Sequence, residues 1–230
     1  SPLGDYALLG TETGQISFLD IDPESPTFNT IYKTVSIAAS RIADIAITPD
    51  GERAFVAGED DQTVWAVGAN RLSPQFAVIL DSWDLTVVGP DAFASSLTIR
   101  PDGELLLVGD RVRSAVYAIA IPETPPDFEV IPEIPLAGLF GSNGAVWKIG
   151  FHPSGLAAYL IMQDENTDIM LVVDTDPGSA SFLTVTAGTT VGSSTAPPYP
   201  TAPPYPWQID LSFTPDGNRC FVYTEDVLVT

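Results

Sequence analysis

The stretch "IADIAITPDGERAFVAGEDDQTVWAVGA" at residues 42–69 carries the pattern that decides the fold. Apolar residues at positions 43, 45 and 47 predict a strand with one buried face, because side chains alternate between the two faces of a strand. Pro-Asp-Gly then supplies a turn, since proline presets φ, aspartate bonds neighbouring backbone and glycine accepts a positive φ. Phe55 and Val56 follow as a consecutive apolar pair, which is typical of an inner strand packed on both faces.

This unit recurs along the whole chain. The turns read TPDG at 48–51 and 214–217, RPDG at 100–103 and HPSG at 152–155, with a weaker copy at the start. The turn glycines at positions 4, 51, 103, 155 and 217 are therefore 47, 52, 52 and 62 residues apart. A period near 50 is the length of one propeller blade. The sequence predicts an all-β fold: a single β-propeller domain or propeller fragment over residues 1–230, with four-stranded antiparallel blades, about four of them plus a partial fifth.

The repeat resembles a known family of propellers. The features that carry the resemblance are the P-D-G-x-x-x-Φ-V pattern and third strands ending in acidic residues, "VVDT" at 172–175 and "FLDID" at 18–22. They are similar to the YVTN-type, YncE-like β-propeller repeats, whose relatives include surface-layer proteins and lactonase-type seven-bladed propellers. The resemblance implies a seven-bladed ring, which needs roughly 350 residues at this period. We therefore expect a part of a longer propeller, with a smaller ring or one closed by another chain as the alternatives.

The charge of the chain restricts its partners. The sequence has 30 acidic against 9 basic residues and a formal net charge of −21. Nucleic acids and anionic membrane surfaces require a basic footprint, so neither is expected as a partner. No stretch approaches the roughly 18 apolar residues of a membrane span, so membrane insertion is not expected. Open blade edges, by contrast, favour self-association.

The chain has few residues for histidine or cysteine chemistry. His152 is the single histidine and Cys220 the single cysteine. A His/Cys zinc site or a Ser-His-Asp triad built from other histidines is therefore excluded. His152 occupies the turn position held by Thr48, Arg100 and Thr214 in sister units, which predicts a structural role. Cys220 aligns with small or apolar strand residues and is expected to be buried. We assign no catalytic residue and expect no cofactor.

One aligned position carries polar residues in four units. Asp44, Ser96, Lys148 and Asp210 face away from the buried residues of the first strand. The first strand of a propeller blade lines the central channel, so these four side chains are predicted to form a polar ring and a candidate ligand site. A lactonase-type reaction there would use Asp44 or Asp210 as the general base and Lys148 to stabilise an oxyanion. The alternative is simple charge balance.

The turns between second and third strands are acidic. They carry Asp60, Asp61, Asp110, Asp164 and Glu165 in different units, all expected on one rim of the disc. Carboxylates crowded in this way are candidates for a divalent cation, with Asp60, Asp61, Asp164 and Glu165 as the metal ligands, or for a basic partner. The alternative is a set of solvated hairpin tips.

The segment "SSTAPPYPTAPPYPW" at residues 193–207 interrupts the repeat. It contains the hexapeptide Thr-Ala-Pro-Pro-Tyr-Pro twice, and so much proline favours an extended polyproline II course. Tyr199 and Tyr205 then occupy equivalent positions, followed by Trp207. The segment is a candidate loop for docking onto a partner protein. The alternative is a stiff crossover between blades.

Taken together, these features favour a binding scaffold over an enzyme. We expect an extracellular, periplasmic or cell-surface propeller that binds another protein or a surface polymer. This localisation follows from the resemblance and from the acidity of the chain. The alternative function is a lactonase-type hydrolase acting on a small sugar or acid lactone in the central channel. The negative charge disfavours this alternative, because it repels anionic substrates.

Overall fold

The computed structural model of the protein describes eighteen strands in five antiparallel sheets and one short 3-10 helix, Leu85–Val87. The described residues are 1–37, 41–58, 62–88, 91–122, 129–136, 139, 144–164, 167–192, 209–223 and 228–229. Within these ranges, no helix has the length and apolar character needed to cross a membrane.

Each sheet is one blade, and its strands follow the order of the chain. Blade 1 contains β1 (Tyr6–Gly10), β2 (Gln15–Asp20) and β3 (Ile31–Ser36). Blade 2 contains β4 (Ile42–Ile47), β5 (Arg53–Gly58), β6 (Thr63–Gly68) and β7 (Ile79–Asp84). Blade 3 contains β8 (Ala94–Ile99), β9 (Leu105–Asp110), β10 (Ala115–Ala120) and β11 (Glu129–Pro135). Blade 4 contains β12 (Ala145–Phe151), β13 (Ala157–Asp164), β14 (Thr167–Asp174) and β15 (Val185–Gly192). Blade 5 contains β16 (Asp210–Phe213), β17 (Cys220–Tyr223) and β18 (Leu228–Val229).

The four-stranded antiparallel blade predicted from the repeat is confirmed in blades 2, 3 and 4. In blade 1 the first described strand follows the turn, so β1 corresponds to the second strand of the other blades. In blade 5 the described strands correspond to the first three.

The repeated turn has the predicted backbone conformation. Its glycine donates a hydrogen bond to the carbonyl oxygen three residues earlier, as from Gly51 to Thr48 at 2.8 Å. All five turn glycines have a positive φ: Gly4 (72°), Gly51 (73°), Gly103 (83°), Gly155 (73°) and Gly217 (72°). Such a conformation costs a residue with a Cβ more than it costs glycine. The turns are therefore fixed by their sequence.

Successive turns also touch each other. The Nε2 atom of His152 lies 3.1 Å from the carbonyl oxygen of Gly217 in the next turn, and its Nδ1 atom lies 2.7 Å from the hydroxyl of Ser154. The imidazole packs edge-on against Phe213, with ring centroids 5.5 Å apart. His152 thus connects the turns of blades 4 and 5, in agreement with a structural role.

Hydrophobic clusters fill the seams between neighbouring blades. Phe18 and Trp65 belong to the cluster between blades 1 and 2, and Phe55 and Tyr117 to the one between blades 2 and 3. Every residue of β5 and β9 is buried, which confirms the prediction of strands packed on both faces. Similar clusters lie between blades 3 and 4 and between blades 4 and 5.

The end blades differ from the prediction in their exposure. Leu9 in blade 1 is 44% exposed and Phe221 in blade 5 is 37% exposed, although they occupy the positions of Val56 and Phe55 in the repeat. Cys220, expected to be buried, is half-buried. The reason is that blades 1 and 5 each have a described neighbour on one face.

The first strands contain a bulge that the alternating pattern did not reveal. The register between β4 and β5 shifts at Ala43, and the equivalent shifts occur at Ser95 in β8 and Trp147 in β12. A bulge inserts one residue and re-aims the side chains that follow it. Ala43 is consequently exposed rather than lying on the predicted buried face, and Trp147 at the equivalent position is half-buried.

The loop after the third strand is built around an aspartate. Asp174 accepts hydrogen bonds from the hydroxyls of Ser179 and Ser181 and from the backbone N–H of Asp176, at 2.5, 2.6 and 2.9 Å. These bonds, led by the one from Ser179, hold the pKa of the Asp174 carboxyl below its usual value. In blade 1 the Asp20 carboxylate accepts the equivalent hydrogen bonds, from the hydroxyls of Ser25 and Thr27 and from the backbone N–H of Asp22.

Replacing Gly51 by alanine tests the turn. We expect Gly51→Ala to lower the free energy of unfolding by about 1 kcal/mol or somewhat more, because alanine resists the positive φ. The new Cβ has room, since its nearest neighbour would be Pro2 at 3.7 Å, so conformation alone accounts for the loss. Gly51→Asn is the matched control and should cost less, because asparagine tolerates this conformation. Equal urea midpoints for the parent and both variants would contradict the account.

The Asp174 loop predicts a dependence of stability on pH. A carboxyl whose folded-state pKa lies below its unfolded value of about 3.9 stabilises the fold above that pH and loses this contribution as pH falls through the folded-state pKa. The double variant Ser179→Ala/Ser181→Ala should therefore be less stable than the parent at pH 6, with a smaller difference at pH 3. Urea unfolding at the two pH values measures this. A difference that stays constant with pH would contradict the assignment.

Candidate functional site

Three of the four predicted ring residues lie together. The Asp44 carboxylate accepts a hydrogen bond from the Ser96 hydroxyl at 3.2 Å and forms an ion pair with the Lys148 ammonium at 3.5 Å. These residues come from the first strands of blades 2, 3 and 4, each directly after the bulge. Asp210 in blade 5 is exposed, and within the described part of the chain it has no hydrogen bond or ion pair to the other three.

The Asp44 and Ser96 side chains also bind the backbone of the next blade. Oδ2 of Asp44 accepts the N–H of Leu97 at 3.0 Å, and the Ser96 hydroxyl accepts the N–H of Ile149 at 3.3 Å. Both N–H groups lie on sheet-edge strands, where the sheet ladder leaves every second backbone group unpaired. The ring residues therefore supply the acceptors that these edge groups need.

Ser95 adds a donor to the same seam, and the sequence did not single it out. Its hydroxyl donates to the carbonyl oxygen of Val146 in blade 4 at 2.6 Å and to that of Gly109 at 3.0 Å. Ser95 occupies the bulge position, which the alternating pattern had placed on an apolar face. The serine itself was the available signal, because the equivalent positions in sister strands are apolar.

The geometry defines the chemistry that the ring can perform. Oδ1 of Asp44 accepts the N–H of Ile45 at 2.9 Å, so both oxygens of this carboxylate are engaged. Ser96 is fully buried. The Lys148 ammonium carries only donors, so it cannot accept a backbone N–H group from blade 5. There Asp210 accepts the N–H of its own neighbour Leu211 at 2.8 Å instead. The ring is thus mainly a set of contacts between blades.

Arginine and aromatic side chains meet where the first strands of blades 3 and 4 begin. The Arg111 guanidinium lies 4.5 Å from the ring centroid of Phe93 and 5.7 Å from that of Trp147. Cation–π contacts of this type stabilise by about 0.5–1 kcal/mol at exposed sites. This cluster was also missed from the sequence, because its members are distant in the chain.

The acidic rim differs from its prediction at Asp110. This residue is fully buried and accepts the Tyr117 hydroxyl at 2.7 Å together with the N–H groups of Val112 and Arg113. It therefore stabilises its hairpin rather than forming a solvated tip or a cation site. Tyr117, whose hydroxyl needs a buried acceptor, was the residue in the sequence that indicated this role.

The remaining predicted site residues fall outside the description. Asp60, Asp61, Glu165 and the loop residues Tyr199, Tyr205 and Trp207 lie outside the described residues, and so does the side chain of Asp164. Among the residues that are described, no cluster of three His, Cys, Asp or Glu side chains has the arrangement of a metal site.

Two arginines are buried on the face of the disc that carries the repeated turns. Arg53 is 8% exposed and donates to the carbonyl oxygen of Pro122 in blade 3 at 2.7 Å. Arg100 is 5% exposed, and its guanidinium contacts the carboxylates of Asp102 at 2.7 Å and Glu104 at 3.1 Å. It also reaches the carbonyl oxygen of Thr175 in blade 4 at 3.3 Å. Two of the nine basic residues are therefore buried in contacts between blades.

Solved structures share this architecture. Hydrazine synthase of Kuenenia stuttgartiensis matches 97% of this chain with a TM-score of 0.70 and 16% identity. A candidate 6-phosphogluconolactonase from Bacteroides uniformis matches 95% with a TM-score of 0.67 and 16% identity. The β-propeller domain of Cps50 (Swd1) from Myceliophteria thermophila matches 98% with a TM-score of 0.68 and 13% identity.

These similarities show the fold. The chain is a β-propeller, and it spans 53%, 60% and 61% of the lengths of those three chains. No protein-family model and no curated protein sequence matches it.

The structural role of the ring is testable by comparing two equivalent aspartates. Asp44→Ala leaves the Leu97 N–H without its acceptor, and we expect it to lower the free energy of unfolding by about 1–3 kcal/mol. Asp210→Ala removes the same side chain at the aligned position and should cost much less, because this carboxylate binds only the backbone N–H of its neighbour among the described residues. Urea unfolding provides both values, and equal losses would contradict the role assigned to Asp44.

Proposed function

We propose that this propeller is a non-catalytic scaffold of the extracellular space or cell envelope that binds another protein or a surface polymer. The observation that carries the proposal is the use of the ring residues. Both Asp44 oxygens and the Ser96 hydroxyl bind backbone N–H groups, and the Lys148 ammonium pairs with Asp44. A general base needs a carboxylate free to take a proton. The ring therefore supports a structural role better than a catalytic one.

The distribution of charge supports binding to a basic or neutral partner. The chain has a net charge of −21, and Arg53 and Arg100 are buried in seams between blades. Asp20, Asp110 and Asp168 are buried as well, and the remaining carboxylates keep the accessible surface strongly acidic. Such a surface repels anionic substrates and accelerates encounters with basic partners. An extracellular or envelope location rests on this acidity and on the resemblance to the YVTN-type repeats.

The second candidate is a lactonase-type hydrolase. One observation favours it: Asp210 is exposed, and only its Oδ1 atom has a hydrogen bond among the described residues. In this alternative Asp210 acts as the general base on a small lactone, and Lys148 stabilises the oxyanion.

Two further contact surfaces belong to the scaffold proposal. The loop at 193–207, with Tyr199, Tyr205 and Trp207, is proposed to contact a partner protein. Leu9 and Phe221 expose apolar surface on the outer faces of blades 1 and 5, which favours self-association through these blades. Sedimentation at increasing protein concentration tests the self-association separately.

An assay of lactone hydrolysis together with a binding measurement tests the proposal. We expect the purified protein to leave a panel of sugar and acyl lactones intact and to bind a component of the cell envelope. Binding should survive Asp44→Asn, Lys148→Met and Asp210→Asn, because it uses other surfaces. Lactone turnover that disappears in Asp210→Asn, with Asp44→Asn as the matched control, would contradict the scaffold and establish the hydrolase.

A further inference from the structure

The outer strand of blade 4 lies at the free edge of its sheet. β15 (Val185–Gly192) pairs with β14 on one side, and no described strand pairs with it on the other. It has eight residues, whereas the outer strands of blades 1, 2 and 3 have six, six and seven. Thr186, Ala187, Thr189 and Thr190 are exposed. This strand is therefore the longest outer edge in the described part of the propeller.

The backbone of β15 has unused hydrogen-bonding groups on this edge. β14 bonds to its outer neighbour at Asp174, which accepts an N–H from the chain leading into β15 and donates its own N–H back. Because bonding alternates along an antiparallel strand, the register places the next bonds to β14 at Ala187 and Thr189. The N–H and C=O groups of Gly188 and Thr190 therefore point to the free edge, where no described residue binds them. Such groups are a template for pairing with another strand.

The sequence around β15 contains no charge. Positions 177–209 have no Asp, Glu, Lys or Arg, in a chain of which 17% is charged. The outer strands of blades 1, 2 and 3 all contain charged residues: Lys33 in β3, Asp81 and Asp84 in β7, and Glu129 and Glu133 in β11. Charges on edge strands protect natural sheets from pairing with other chains. β15 lacks this protection.

The absence of charge favours one occupant, a second copy of the same strand. When an edge strand pairs with its own copy around a two-fold axis, its charges face like charges, which destabilise the pairing. A strand of a different protein can instead match Lys33 or Asp81 with the opposite charge. Two copies of this chain repel each other, since each has a net charge of −21. An uncharged edge is the surface on which two such copies can meet.

We propose that β15 pairs with β15 of a second copy, so that the two copies of blade 4 join into one continuous sheet of eight strands. Ala187–Thr190 are the regular part of β15, because its pairing with β14 shifts register on both sides of them. The register that uses both outward residues pairs Gly188 with Thr190 of the second copy, and Thr189 then faces its own counterpart on the axis. Cross-strand threonine pairs are favourable.

The assembly is a closed and weak dimer. Each copy uses its β15 edge once, so no further copy can add through this strand. Two strands of eight residues bury less than the roughly 1,200 Å² of the smallest standard interfaces. We expect a dissociation constant on the order of 0.1 mM, which sedimentation from about 0.01 to 1 mM protein brackets. The inference goes beyond the proposed scaffold function, which requires only one copy.

Disulfide trapping tests the register, in a Cys220→Ala background that removes the single natural cysteine. The Cα atoms of Thr189 and its counterpart are expected about 4.5 Å apart, which a disulfide can bridge. Thr189→Cys should therefore form a covalent dimer under mild oxidation. Ala187→Cys is the matched control, because in this register it lies roughly 13 Å from its counterpart. Equal cross-linking at both positions, or none with Thr189→Cys, would overturn the proposal.

A charge on the axis tests the same edge without a new thiol. Thr189→Lys places two ammonium groups opposite each other and should raise the dissociation constant at least tenfold, although it lowers the net negative charge of each copy. Thr34→Lys makes the same change at an exposed position of β3 and should leave the dissociation constant unchanged or slightly lower. Thermal unfolding verifies that both variants are folded. Equal weakening by the two lysines would overturn the proposal.

Two further outcomes identify other occupants. If Leu9→Ser or Phe221→Ser abolishes dimerisation and Thr189→Lys preserves it, the copies associate through the faces of blades 1 and 5 and the proposal is wrong. If the parent stays monomeric over the whole concentration range but binds a synthetic peptide with the β15 sequence, the edge takes a single strand rather than a second copy, and the proposal is equally wrong. The scaffold function does not depend on these results, because its binding assay needs no dimer.

Discussion

Unpaired backbone groups on the inner sheet edges constrain this propeller more than any other feature. The first strands of blades 2, 3 and 4 lie side by side without forming a sheet, so N–H and C=O groups that face the neighbouring blade need partners from side chains. Asp44 and Ser96 accept such N–H groups, and Ser95 donates to such a carbonyl. The bulge before the ring position aims these side chains across the seam. Polar residues in the channel thereby become part of the framework, which favours a scaffold over a catalyst.

Much of the fold was predictable because its signals are local. The positive φ of Gly51 follows from a Pro-Asp-Gly turn, and the burial of Phe55 follows from an apolar pair inside a repeat. Both depend on neighbouring residues in the chain. The period then gave the four-stranded blade, which the structure confirms. The assignment to YVTN-type repeats and the closure of a seven-bladed ring stay predictions.

The site was less predictable because its contacts join distant residues. Asp44, Ser96 and Lys148 were correctly aligned at one level, yet their bonds to Leu97 and Ile149 depend on bulges that alternation does not reveal. The prediction of an acidic rim was wrong at Asp110 for a related reason, since the hydroxyl of Tyr117, seven residues later, binds that buried carboxylate. The arginines of the seams escaped prediction for the same reason, since Arg53 and Arg100 each bind a carbonyl oxygen of the next blade.

Hydrogen exchange at two backbone amides tests the central claim most directly. If side chains of the polar ring hold neighbouring blades together, the N–H groups of Leu97 and Ile149 should exchange as slowly as those in the buried strands β5 and β9, although they lie on sheet edges. The account predicts that Ser96→Ala speeds exchange at Ile149 and leaves Leu97 slow. Fast exchange at both amides in the parent protein would show that the ring is open to solvent, which would contradict the structural role and return the channel to consideration as a ligand site.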